Sequence, residues 1–372
     1  MATAPEELIN IATRHQVYLE RLKTGEANKV DDFLKKIDQS VSSRLANKNL
    51  TEFSRDRLNQ LLLSVRSDMD VLAQEFSKTV AKQSLDLADY EAGFELRSLE
   101  QVSAAEYVVP AAAAISVAVL NNPLTMLGFG NGQLLEPFVK DMSKKTLDKV
   151  AGAIMSGYYE GQTTNQILQT IRGTRANKFK DGIIGEANKT AKMITRTALQ
   201  HASSQARDEV WKNNADIVKK VQWVSTLDGR TTSQCRSLDG QIFQENPTRK
   251  GPRPPLHINC RSTVVAVPDA RFAFLEDNAT RSARKYTAKS EPNSKGKVVS
   301  VPADQTYYSW LKSQPKNFQE SVIGPQRTKL LNDGGLTAEK FAKLQLNNNF
   351  KPITLEEMKK LEPLAFEKAG LD

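Results

Sequence analysis

At 372 residues the chain is too long for one ordinary core, so two or three structural units are expected. Hydrophobic residues make up 39% and charged residues 26%, an ordinary soluble balance that calls for no membrane, and the net charge is +9. Two cysteines exclude a disulfide-rich secreted scaffold, and the opening MATAPEELINIATRHQ lacks the basic start and apolar run of a signal peptide, so synthesis and folding in a reducing cytosol are expected.

Residues 1–105 read as helix. Leu58, Leu62, Val65, Met69, Leu72 and Phe76 recur at steps of four and three, lining one side of a helix with a seam that seeks another helix. Phe33, Leu34, Ile37, Val41 and Leu45 have the spacing to supply that partner internally; a second copy or an assembly partner is the alternative, which makes this an association-prone region. Residues 106–140 form an apolar segment. Its run from Val108 to Leu120 falls short of the roughly 20 residues that span a bilayer, so a buried helix is expected and membrane contact is not, with shallow insertion as the alternative.

Residues 141–217 continue as helix. Two periodic runs break at EGQT, where Thr163 or Thr164 is placed to cap the second, giving a helical hairpin. A DNA-reading helix-turn-helix has this outline, but the second run lacks a base-reading set beyond Asn165, Gln166 and Gln169. A third helix carries Met193, Ile194, Thr197, Ala198 and His201 along one side, with Arg196, Arg207 and Lys212 elsewhere.

At residue 218 the texture changes to short β-branched and aromatic runs flanked by Asp-Gly and Pro, so 218–270 is expected to be a β-containing clasp. Residues 271–303 read as a basic linker, and 304–372 as a C-terminal helical unit in which Thr354 and Glu357 form a capping box. The expected class is α+β: a mostly helical N-terminal two thirds, a small β-containing clasp domain and a short helical C-terminal unit. From Glu245 to Ser300 eleven Lys and Arg, Arg271 among them, stand against five acids, a local net charge of +6. Arg249, Lys250, Arg253, Arg281, Arg284 and Lys285 are therefore candidate contacts to a polyanion or an acidic protein surface, against the plainer reading of a solvated basic loop.

The clasp holds both cysteines, Cys235 and Cys260, and one of three histidines, His257. Three borderline-soft donors suggest zinc, but a structural zinc wants four, and Asp228, Asp239 and His201 are fourth candidates without ligand-like spacing. A Cys235–Cys260 disulfide after exposure to an oxidising exterior, and two buried thiols packing as small hydrophobes, are the other structural readings. A thiol nucleophile with His257 as base, beside Arg236 or Arg261, lacks an evident oxyanion cradle or orienting group. The surrounding residues read as architecture: Asp228-Gly229 and Asp239-Gly240 turn the chain, Pro254-Pro255 hold an extended approach to His257, and Arg230 and Arg261 tie loops to Asp228, Asp239 or carbonyls.

The ordered set Trp223, Asp228, Arg230, Thr231, Cys235, Leu238, Asp239, Gly240, Pro254, Pro255, His257, Cys260 and Arg261 resembles the Mu F-like minor head protein family of tailed bacteriophages, also called the head morphogenesis family. The helices GYYEGQTTNQILQTI and ITRTALQHASSQAR before it, and YYSWLKSQPKNFQESVIGPQRTKLLNDGGL after it, extend the resemblance over roughly 145–360. Many relatives carry further cysteines where this chain has Thr232 and Ser262, so the zinc site credible in them is depleted here. The resemblance implies a non-enzymatic virion component at the head interior or portal vertex, made in the host cytoplasm. It acts in procapsid assembly, head completion, DNA packaging or genome ejection. Its implied partner is the portal protein, which would impose any oligomer, with major capsid or scaffold protein and packaged DNA as further neighbours. A DNA-binding internal virion protein and a nuclease- or transferase-type toxin domain are the competing readings; the second is weakened because His15 and His201 lie in helical contexts.

Overall fold

The computed structural model describes residues 3–46, 48–126, 132–269, 279–291 and 293–371. It is α+β, as expected. Helices α1 (Ala4–Asn28), α2 (Val30–Leu45) and α3 (Arg55–Val102) open the chain, and Ser54 caps α3 by accepting the Arg57 N–H. At 48 residues, α3 is about 70 Å long. Its seam packs inside the protein: Leu58, Leu62, Val65, Met69 and Phe76 are buried in one core with Leu34, Ile37, Val41 and Leu45 of α2. The Phe33 and Phe76 rings stack at 4.9 Å. The seam that made 1–105 read as association-prone is thus already covered, because α2 carries the complementary stripe.

Helix α4 (Ala112–Asn121) lies within the apolar segment, and it packs on one side only: Ile115, Ala118 and Val119 are buried while Val117 and Leu120 are exposed. Among the described residues no helix is long and apolar enough to cross a membrane. Helices α5 (Leu135–Tyr159) and α6 (Thr164–Arg172) form the expected hairpin, with Thr163 and Gln166 as a capping box and Ile167 and Ile171 buried.

Helix α7 (Ile183–Asn213) runs through the centre and is buried on every face from Thr197 to Trp211. This corrects the one-sided reading of that helix. Ala198, Ala202, Ala206 and Ser203 are small enough to let neighbouring helices approach on several sides. The polar residues so enclosed must find partners. Arg207 donates to Glu91 of α3 through Nε and Nη2, at 3.2 and 2.9 Å, and to Thr263 Oγ1 at 2.8 Å. Glu91 also accepts from Ser203 Oγ at 2.7 Å and meets His15 Nε2 of α1 at 2.5 Å, while Trp211 Nε1 donates to Glu95 at 2.8 Å. Burial alone would raise the Glu91 carboxyl, but Arg207 and His15 outweigh it and hold it down to about 2.

Strands β1 (Val218–Val224), β2 (Ile242–Gln244) and β3 (Thr263–Pro268) form an antiparallel sheet in the order β2-β1-β3, with α8 (Ser233–Leu238) between β1 and β2 in sequence. Trp223, Cys235, Cys260 and Val264 belong to the same core as the helices, so the clasp is fused to the bundle.

The segment 271–303 is not simply a linker. Residues 270–278, Arg271 among them, lie outside the described residues, but β4 (Thr280–Lys285) and β5 (Lys297–Pro302) pair as an antiparallel hairpin. Its alternation is hidden because one inward position of β4 is an arginine, Arg281, followed two residues on by Ala283. Ala283 joins a second core with Leu227, Tyr286, Tyr307, Trp310, Phe318 and Phe341. The short helices α9 (Tyr307–Lys312), α10 (Lys316–Ile323), α11 (Pro325–Asp333), α12 (Ala338–Lys343), α13 (Leu355–Leu361) and α14 (Pro363–Lys368) complete that unit, and α13 starts with the expected Thr354–Glu357 capping box.

Replacing Arg207 by Ala leaves the Glu91 carboxylate buried without its main partner and should lower stability by about 3–5 kcal/mol in urea unfolding at neutral pH. The double variant Arg207→Met/Glu91→Leu, which removes both charges, should recover most of the loss. A single-variant loss below about 1 kcal/mol, the scale of an exposed pair, would show that this ion pair does not hold the bundle.

Candidate functional site

The clasp is built from β1 outward. Trp223 is fully buried, and its Nε1–H donates to Ser225 Oγ at 2.8 Å; Ser225 Oγ in turn donates to the Cys235 carbonyl at 2.6 Å. Asp228 closes an Asx turn by accepting from the Arg230 N–H at 3.0 Å and from Thr231 Oγ1 at 3.2 Å. Arg261 grips the same carboxylate with two bonds of 2.6 and 2.8 Å. Burial opposes the charge on Asp228, yet Arg261 holds its carboxyl below the usual range.

Asp239 does comparable work at the other turn. It accepts from the Ser225 N–H at 2.6 Å, from both Arg281 Nη atoms at 3.1 Å, and from the Tyr307 N–H at 2.7 Å, so one carboxylate joins β1, β4 and the start of α9. Gly240 follows with φ +83, and a Cβ there would sit 2.7 Å from Thr306 Cγ2. Both conditions require glycine.

The turn from His257 to Cys260 is closed by the Cys260 N–H on the His257 carbonyl at 3.1 Å. Asn259 takes the left-handed φ of 59, and its N–H donates to Thr197 Oγ1 of α7. Pro254 and Pro255, expected to hold an extended approach, are joined by a cis peptide bond, with a bend at Pro254. Cys235 stands on the first turn of α8, and here the three donors meet: Cys235 Sγ is 3.3 Å from His257 Nε2 and 3.8 Å from Cys260 Sγ. His257 Nδ1 donates to the Ile258 carbonyl at 2.9 Å, leaving Nε2 to face the sulfurs and Thr232 Oγ1, also at 2.9 Å. The hydrogen bond with Cys260 and then burial push the Cys235 thiol well up. At Cys260 burial pushes the same way, but bonds from Cys235 and His257 overturn it and hold the thiol well below the ordinary cysteine value.

These residues stand at one side of a cleft of about 1070 Å³ between α1 and the clasp. Gln16, Glu20, Arg21 and Thr24 of α1 and Arg196 of α7 face Asp228, Arg230, Thr232, His257, Arg261, Arg284 and Lys295 across it. Six cations line the cleft against two acids. Glu20 pairs with Arg196 and with Lys23, a lysine only 1% exposed whose Nζ also donates to Gln200 Oε1 at 2.6 Å. Burial pulls the Lys23 ammonium below its ordinary value, and Glu20 only partly opposes it. The α1 half of the cleft was not found from the sequence, since Glu20 and Arg21 carry no motif and meet the clasp only in the fold.

Several expected roles change. Arg253 is buried against Asp208 and Glu245, and Arg281 against Asp239, so neither is a surface contact for DNA or another protein; each is consumed by an internal carboxylate. Arg249, Lys250 and Lys285 are exposed, Arg249 pairing with Asp208, and Arg284 lines the cleft. Arg249 instead lines a separate pocket of about 130 Å³ beside Asn122 and His201, so the basic segment does not form one patch. None of the suggested fourth donors joins the Cys/His group: Asp228 and Asp239 are held by arginines, and His201 Nε2 lies 3.1 Å from the Val119 carbonyl.

Residues 147–265 match the family described as Phage Mu protein F like protein. That segment contains α7, β1, β2, the start of β3 and all three Cys/His donors, and its likeness is to the Mu F-like head morphogenesis family, as the motif indicated. A Haemophilus influenzae protein described as an uncharacterized protein is 26% identical over 170 residues, 44% of this chain and 35% of that protein. The match thus spans about a third of the relative's length. No solved structure matches.

Two consequences are measurable. Gly240→Ala should destabilise the protein by roughly 1–3 kcal/mol, from the left-handed backbone and the contact with Thr306; an unchanged melting temperature would show that Thr306 simply moves aside. Burial pulls His201 from its ordinary 6.5 down to about 4. Between those values the unfolded chain binds a proton that the folded chain does not, so stability falls as pH drops from 6.5 to 4, by about 3 kcal/mol for this group. His201→Gln should remove that share of the acid dependence, read as the difference between the two stability-against-pH curves.

Proposed function

We propose that this phage head protein works at the portal vertex, associating with the portal protein during procapsid assembly and acting in head completion, DNA packaging or genome ejection. The observation that carries the reading is the Mu F-like match centred on α7 and the clasp. The burial of both thiols supports a non-enzymatic role: Cys235 and Cys260 are 1% and 2% exposed, whereas a nucleophilic cysteine must be reached by its substrate.

The cleft favours a second reading, contact with the phosphate backbone of packaged DNA, because Arg21 on one wall and Arg230, Arg284 and Lys295 on the other present cations to it. The two readings separate experimentally. Co-expressed with the portal protein of the same genome, the full chain should comigrate with the portal ring in size-exclusion chromatography with light scattering and be found in assembled heads. Elution alone, together with absence from heads, would end the portal reading. DNA binding through the cleft should weaken steeply with salt, and neutralising Arg21, Arg284 and Lys295 together should reduce the log–log salt slope by about 2–3; an unchanged slope would remove the cleft from DNA contact.

A further inference from the structure

The Cys/His cluster has the dimensions of a metal site. Zinc–sulfur bonds of about 2.3 Å and zinc–nitrogen bonds of about 2.0 Å, set at tetrahedral angles, place two sulfurs about 3.8 Å apart and sulfur and nitrogen about 3.5 Å apart. The clasp holds its sulfurs at 3.8 Å and Cys235 Sγ at 3.3 Å from His257 Nε2, with all three donor atoms within 4.8 Å of one another. Two thiols packed only as small hydrophobes would not need an imidazole nitrogen turned toward both. A disulfide would bring the sulfurs to about 2.05 Å and leave His257 without a role.

We propose that Cys235 Sγ, Cys260 Sγ and His257 Nε2 bind one zinc-class divalent ion, with the fourth coordination position opening past Thr232 toward the basic cleft. Sulfur and imidazole donors without a carboxylate select such an ion over magnesium or calcium. The supporting shell is already in place. The Ile258 carbonyl accepts from Nδ1 and so fixes Nε2 as the coordinating nitrogen, an outer contact of the kind that orients metal-bound histidines. Ser225 holds the Cys235 carbonyl, and Thr197 holds the turn that carries Cys260. The fourth vertex is marked by Thr232 Oγ1, 2.9 Å from Nε2, on a half-buried residue that lines the cleft beside His257. A threonine hydroxyl is a weak zinc donor, so water from the cleft competes for that position. On coordination each thiol releases its proton to solvent, giving two thiolates, a neutral imidazole and a dication with no net charge.

The test uses the full chain expressed in zinc-supplemented medium and purified under reducing conditions. Elemental analysis should find about one zinc per chain, lost in Cys235→Ser, His257→Ala and Cys260→Ser. Exchange with cobalt should give the intense near-ultraviolet sulfur-to-cobalt absorption that marks thiolate ligation. Because a cysteine variant can fail to fold, Thr232→Cys supplies a gain instead: with a fourth strong ligand it should resist a competing chelator about tenfold or more better than the parent. The proposal is overturned if the folded parent retains no more metal than the Cys235→Ser/Cys260→Ser variant. A cobalt spectrum without the thiolate band overturns it as well, as does recovery of both sulfurs as a disulfide from cells lysed into a thiol-blocking reagent.

Discussion

The carboxylate of Glu91 sits at the centre of the bundle, fully buried, and the fold is arranged so that it never lacks a partner. An uncompensated carboxylate at such a position would be prohibitive. Arg207 and Ser203 reach it from α7 and His15 from α1. Arg207 has one Nη left over, and this donates to Thr263 at the start of β3. A charge in the helical bundle therefore sets where β3 begins. Thr263 directly follows Arg261 and Ser262, so the same guanidinium positions the segment that carries the Asp228 lock and, one residue earlier, Cys260.

Asp239 repeats the device on the other side of β1. Its carboxylate joins the sheet to the hairpin through Arg281 and to the C-terminal unit through the first N–H of α9. Val224 and Leu238 beside this joint belong to one hydrophobic core and Tyr307 to the other. The polar joint gives orientation where packing alone would allow sliding, since each of its hydrogen bonds has a fixed direction. The bonds from Arg281 to the Ser225 and Gln305 carbonyls complete the satisfaction of that guanidinium at Nη1 and Nη2.

The legible parts of the fold were those governed by local periodicity. The seam of α3 and its stripe in α2, the Thr163 and Thr354 caps, the turn at Gly240 and the Asp228–Arg261 pairing all follow from spacing or from single-residue chemistry. What stayed hidden depended on charges that fold inward. Arg207, Arg253 and Arg281 carry no local mark that separates them from surface arginines, because their partners Glu91, Asp208 and Asp239 lie on other elements. The hairpin β4–β5 was hidden for the same reason: an inward arginine breaks the apolar alternation that announces a strand. The cleft was half legible, its clasp wall visible in the motif and its α1 wall carrying no signal until helix and sheet were brought together.

The Cys/His group shows how this architecture bears on the site. Its three donors come from α8 and from one four-residue turn, and neither is long enough to be stable by itself. Each is instead pinned by bonds to buried elements: Ser225 beside the sheet for α8, Thr197 on α7 for the turn. The geometry of the donors is therefore inherited from the bundle, through Thr197 on the same helix that carries Arg207. The same framework holds two hydroxyls beside the donors, Thr232 against His257 and Ser262 against Ser225 at 3.2 Å. The shape of the clasp rests on the bonds of Glu91, Asp228 and Asp239. Thr232 stands on the side of the group that faces the basic cleft.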